Sequence, residues 1–93
     1  MSGATEIGLH ELPHRQPARV LRLMPAADAE ESEVLLRLLE IGFLPGEPVR
    51  VMARGFPGND PLAVRVGHTT FALRSREAAL IRVRLVADGE SRA

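Results

Sequence analysis

The chain reads as a mainly β fold, a small, partly open barrel of five short strands with one α-helix after the first strand and a short helical turn before the last. Three observations predict it. Apolar residues alternate with period two at Val49, Val51 and Ala53, at Leu62, Val64 and Val66, and at Ile81, Val83 and Leu85, each triplet forming the inward face of a strand. Helical spacing is concentrated in one stretch, where Val34, Leu38 and Ile41 recur at i, i+4 and i+7 with Leu35 and Leu39 beside them. The core is aliphatic, because 45% of residues are hydrophobic while there are three phenylalanines and neither tryptophan nor tyrosine. A chain of 93 residues hides only about 60–65% of its unfolded surface, so it makes one domain with a thin core.

Taken in order, residues 1–15 are mixed and polar and read as a partly ordered N-terminal segment, with Leu9 and Leu12 available to pack. Residues 18–24 form a short apolar run bounded by Pro17 and Pro25, which suits a first strand better than a helix. Asp28 before Ala29, Glu30 and Glu31 places a carboxylate at an N-cap and a glutamate at N3, so a helix should start at Ala29 or Glu30. Glu33 and Arg37 are spaced as an i,i+4 pair, and Leu36 falls off the apolar face. Gly42 follows the last periodic residue and allows a left-handed C′ position, after which Phe43 can fold back on the helix. Pro45 and Gly46 supply the central positions of a type II turn, and Pro48 forbids a return to helix. Gly42, Pro45 and Gly46 are therefore structural turn residues.

The loop Gly55-Phe56-Pro57-Gly58-Asn59-Asp60 is a dense turn signal, and Gly67-His68 is a compact turn leading into a short strand over residues 70–74. Ser75 reads as the cap of a single helical turn before the last strand. The domain is assigned to residues 16–87, with a polar tail at 88–93. A helix directly after the first strand favours an SH3-like barrel over an OB barrel, whose helix is expected later in strand order.

The chemistry is defined mostly by exclusion. Twelve basic residues balance twelve acidic ones, which removes the electrostatic pull that dominates non-specific nucleic-acid binding. With no cysteine there is no disulfide framework, thiolate zinc site, iron–sulfur cluster or cysteine nucleophile, and the cytoplasm is the expected compartment. The first ten residues lack a signal-peptide pattern, and no run approaches the roughly 20 apolar residues that span a bilayer, so no direct membrane insertion is expected. His10-Glu11-Leu12-Pro13-His14 matches the zinc-protease pattern H-E-x-x-H, but Pro13 breaks the helix on which that motif depends. His10, Glu11 and His14 remain weak surface candidates for an adventitious divalent metal ion, against the plainer reading of a solvated tail. His68 is a turn residue, and Thr69, Thr70 and Ser75 have no nearby His/Asp pattern, so no catalytic residue is assigned. Glycine-rich phosphate-binding motifs are absent. The chain is read as a non-enzyme that requires no cofactor.

Residues 46–51 followed by Gly55 and Gly58 look like the strand and glycine turn of the KOW element, which would imply RNA and a role for Arg50 and Arg54. Neutral charge and the lack of aromatic faces argue against it, and nucleic acid is not an expected partner.

Beyond these readings, Leu38-Leu39-Glu40-Ile41-Gly42-Phe43-Leu44-Pro45-Gly46, then Val49 and Val51, Asp60-Pro61, Ala72-Leu73-Arg74, Glu77-Ala78 and Ile81-Arg82-Val83, together resemble FeoA, the small cytosolic component of bacterial ferrous iron uptake. The likeness runs from about Ala18 to Val86, departing at Gly58-Asn59-Asp60-Pro61, where the family more often has Gly-Asp-Pro. It implies an SH3-like barrel and a non-enzymatic accessory protein that binds and modulates FeoB, the membrane transporter with a cytosolic G-domain. The same domain ends the DtxR-type repressors, so a metal-responsive regulatory domain is the alternative; the expectation here is the free-standing form, for which a weak homodimer is compatible. Function would then lie in a contact surface, for which Leu36, Phe43, Leu44, Phe56 and Arg74 are the candidates. The plainer alternative is that Phe43 and Leu44 staple the helix exit to the barrel and Arg74 is a solvated strand end.

Overall fold

The structure is a computed structural model and describes residues 5–55, 58 and 60–86. Its elements are β1 (Glu6–Gly8), a 3-10 turn (Leu9–Glu11), β2 (Ala18–Leu23), α1 (Ala29–Ile41), β3 (Pro48–Arg54), β4 (Leu62–Val66), β5 (Thr69–Leu73), α2 (Ser75–Ala78) and β6 (Ile81–Leu85). The strands form one antiparallel sheet in the order β1-β6-β2-β3-β4-β5. Alternate residues of β2, β3, β4 and β6 face a common interior, where Val20, Val51, Leu62, Val64, Ile81 and Val83 are buried together with Leu38 of α1.

Among the described residues there are six strands rather than five. β1 is too short to carry a period, and it exists because tertiary partners recruit it. Ile7 pairs with Val83 of β6, and the Glu6 carboxylate accepts from Arg22 at 2.6 Å and from Arg82 at 2.9 Å. Leu9 and Leu12 are fully buried. Arg54 holds this segment from β3 by donating to the carbonyls of His10, at 3.2 Å, and Leu12.

The predicted inward triplets hold for β4, whereas in β3 Ala53 is exposed. The β3–β4 register shifts between Val51 and Ala53, and an irregularity of that kind breaks the alternation and turns the following residue outward.

Helix α1 begins where its cap predicts. Asp28 accepts from the Glu31 N–H at 2.8 Å, while the Glu31 carboxylate reaches the N–H of Ala27, one residue before the N-cap. At the other end Gly42 has φ +124°, the Gly42 N–H reaches the Leu39 carbonyl and the Phe43 N–H reaches the Leu38 carbonyl, both at 3.1 Å. This is a Schellman closure, and the apolar pair that accompanies it is Leu38 with Phe43, both fully buried. A type II turn follows, with the Glu47 N–H on the Leu44 carbonyl and Gly46 at φ +90°.

Two predicted side-chain roles change. Arg37 pairs with Glu77 at 2.5 Å instead of Glu33, which ties α1 to α2. Arg74, not Ser75, is the N-cap of α2; the Ser75 N–H donates to the Asp60 carboxylate at 2.6 Å, so the cap comes from 15 residues upstream.

Two outcomes follow. Gly42→Ala should cost about 1–2 kcal/mol, because a Cβ is strained at this positive φ, read as a lower urea midpoint with unchanged m. The guanidinium hydrogen bonds from Arg82 and Arg22 hold the Glu6 carboxyl below its ordinary 4.5. A depressed carboxylate contributes stability above that ordinary value and loses it as pH falls through the folded value. Glu6→Gln should therefore remove part of the decline in stability below about pH 4.5, measured as the difference between urea midpoints of the two proteins from neutral to acid pH.

Candidate partner-binding surface

Helix α1 carries more leucine than the barrel can cover. Leu38 is buried, and Val34, Leu35 and Ile41 are half-buried against the core. That leaves Leu36 at 58% exposure and Leu39 at 41%, three residues apart on one flank. Leu39 reads from its spacing as part of the inner face, yet it lies about 100° round the helix from Leu38, enough to carry it past the edge of the sheet contact. Leu44, immediately after the Schellman closure, is 46% exposed. Met24, at the end of β2, is 39% exposed and is a further apolar group that the sequence reading missed. Moving a leucine from exposed to fully buried is worth about 1.5–3 kcal/mol, so these side chains are a reserve that a partner could use.

The five expected contact residues divide. Leu36 and Leu44 are exposed at the exit half of α1, as a contact surface requires. Phe43 is not on that surface: it is 0% exposed and is the largest fully buried side chain, because the Gly42 reversal points it into the barrel. Arg74 is exposed at the start of α2, which the Arg37–Glu77 pair ties to α1. Phe56 lies outside the described residues. Gly42, Pro45 and Gly46 do the structural work expected of them.

The titratable groups are dispersed. Among the described residues no three His, Cys, Asp or Glu side chains gather in a metal-binding group, so His10, Glu11 and His14 do not form one. Glu11 accepts from the Gly8 N–H at 3.0 Å, His14 Nε2 lies 2.7 Å from the Met52 carbonyl, and His10 Nδ1 is buried with no hydrogen-bond partner. The proline-broken motif thus serves to fasten the N-terminal segment. Arg54, which an RNA surface would require outside, is spent on the His10 and Leu12 carbonyls. His68 is exposed in the two-residue turn between β4 and β5. Among the described residues no helix is long and apolar enough to cross a membrane.

With this geometry, the chain compares with known proteins as follows. A family model, that of the FeoA domain, matches residues 7–85. The zinc-complexed FeoA of Stenotrophomonas maltophilia, described as a prokaryotic SH3 domain protein, is 41% identical over 91% of this chain and 93% of its own, with a TM-score of 0.68. A FeoA-like protein from Clostridium acetobutylicum is 26% identical over 95% of this chain and 93% of its own, with a TM-score of 0.75. A manganese-dependent transcriptional repressor shares the fold at 24% identity and a TM-score of 0.73, with 92% of this chain matched to 45% of the repressor. Comparison with curated proteins yields no match.

The division between core and surface is open to direct test. Phe43→Ala should cost about 3–5 kcal/mol, while Leu36→Gln and Leu44→Gln should each change stability by no more than about 1 kcal/mol, as read from urea unfolding midpoints.

Proposed function

Because the chain belongs to the FeoA family, whose members are associated with ferrous iron transport and have an SH3-like fold, we propose that it is a non-enzymatic cytoplasmic accessory that binds and modulates the FeoB transporter. The observation that carries this reading is the set of leucines at 36, 39 and 44 that the barrel leaves 41–58% exposed, on α1 and the turn after it, while the other side of the helix already supplies the core. Apolar side chains at that density are a feature of docking surfaces. The cytosolic part of FeoB is the partner, contact is made along the outer flank of α1, and Arg74 contributes a charged rim. No bound cofactor is needed for such a contact, and a divalent ion on the imidazoles would be incidental to it.

The test is to titrate the isotopically labelled chain with the cytosolic part of FeoB and follow its amide resonances. Shifts should concentrate on Leu36, Leu39 and Leu44, and Leu36→Asp combined with Leu44→Asp should weaken binding by about tenfold or more while the unbound spectrum stays folded. Binding that leaves those amides unmoved would place the contact elsewhere, and absence of binding together with normal ferrous uptake in a strain lacking the protein would end the reading.

A further inference from the structure

Charge on this neutral chain is unevenly placed. All twelve basic residues are arginine. Arg19, Arg22, Arg50, Arg65, Arg82 and Arg84 lie on β2, β3, β4 and β6 among residues that face the core, which puts them on the outer side of the sheet. In register they meet as like pairs: Arg19 opposite Arg84, Arg22 opposite Arg82 and Arg50 opposite Arg65. Like charges directly opposite across two strands are destabilising, so each pair favours a neighbouring anion.

For Arg22 and Arg82 the chain provides that anion itself. The single Glu6 carboxylate takes a hydrogen bond from each guanidinium, at 2.6 and 2.9 Å. The Arg50–Arg65 pair lies towards the other edge of the sheet, where β1 does not reach. Arg50 has an interaction of its own. Arg65 is exposed and forms no ion pair among the described residues. Beside the pair is an open cleft of about 500 Å³ lined by Glu47, Pro48, Arg50, Met52, Arg65 and His68.

We propose that this cleft docks an acidic segment of a partner protein, with an aspartate or glutamate carboxylate paired to Arg65. The planar guanidinium fork matches a carboxylate in two parallel hydrogen bonds. Pro48 and Met52 offer apolar contact to the flanking residues of an extended peptide. A nucleic acid suits the cleft less well: the chain has no net charge to draw a polyphosphate, and among the described residues no phenylalanine, tyrosine or tryptophan lines the cleft for stacking. None of Leu36, Leu39 and Leu44 lines the cleft, so a substitution at Arg65 tests this site without altering the leucine flank.

The experiment uses the full chain and a short alanine- and leucine-based peptide with a central Asp-Glu, beside the same peptide with Asn-Gln. The acidic peptide should shift the amides of Arg50, Arg65, Gly67 and His68 saturably at physiological salt. Its affinity should fall about tenfold in Arg65→Glu and in the Asn-Gln peptide. Arg65→Glu replaces a like-charge pair by an opposite one facing Arg50, so its thermal midpoint should equal or exceed that of the parent, which separates lost binding from lost fold. Equal binding of the two peptides, undiminished binding by Arg65→Glu, or shifts of the same amides by inorganic phosphate or an RNA oligonucleotide at lower concentration would each overturn the proposal.

Discussion

One backbone reversal decides the arrangement of this protein. At Gly42 the chain leaves α1 through a positive φ that a side chain resists, and the two hydrogen bonds of the closure fix the direction in which Phe43 departs. Phe43 enters the barrel and becomes its bulkiest fully buried group. The next turn is then fastened to β2 from both sides, with the Gly46 N–H on the Val20 carbonyl at 2.7 Å and the Val20 N–H on the Glu47 carbonyl at 2.9 Å. Helix, turn, β2 and the start of β3 thereby share one anchor. The exposed Leu44 is a consequence of the same geometry, since the residue after an inward phenylalanine is left on the outside.

The candidate binding surface is therefore the far side of a structural device. The core needs Leu38 and Phe43 to close the helix end, and it draws on Val34, Leu35 and Ile41 only in part. Leu36, Leu39 and Leu44 stay outside that closure, on the helix and turn that it joins. A surface held this way presents apolar groups with little ordering left to do on contact, which favours affinity.

Charge is organised on the same plan. The acids Asp28, Glu30 and Glu31 sit at the N-terminus of α1, where the helix dipole favours them. The arginines gather on the outer face of the sheet. Glu6 joins two of them, adding a side-chain tie to the backbone pairing that holds β1 against β6.

Much of the architecture was legible in the sequence, and the reasons divide cleanly. Local chemistry determined the Asp28 cap, the Gly42 stop, the Pro45-Gly46 turn and the inward face of β4, because each depends on backbone preferences or periodicity within a few residues. Only the tertiary structure decided the rest. β1 forms by pairing with the distant β6, Ala53 turns out at a register shift, and Arg37 chooses Glu77 over its helical neighbour. The cap of α2 arrives from Asp60, and Phe43 goes in while Leu39 stays out. Each of these outcomes depends on a partner that folding brings close from far along the chain, and no local pattern encodes where that partner will be.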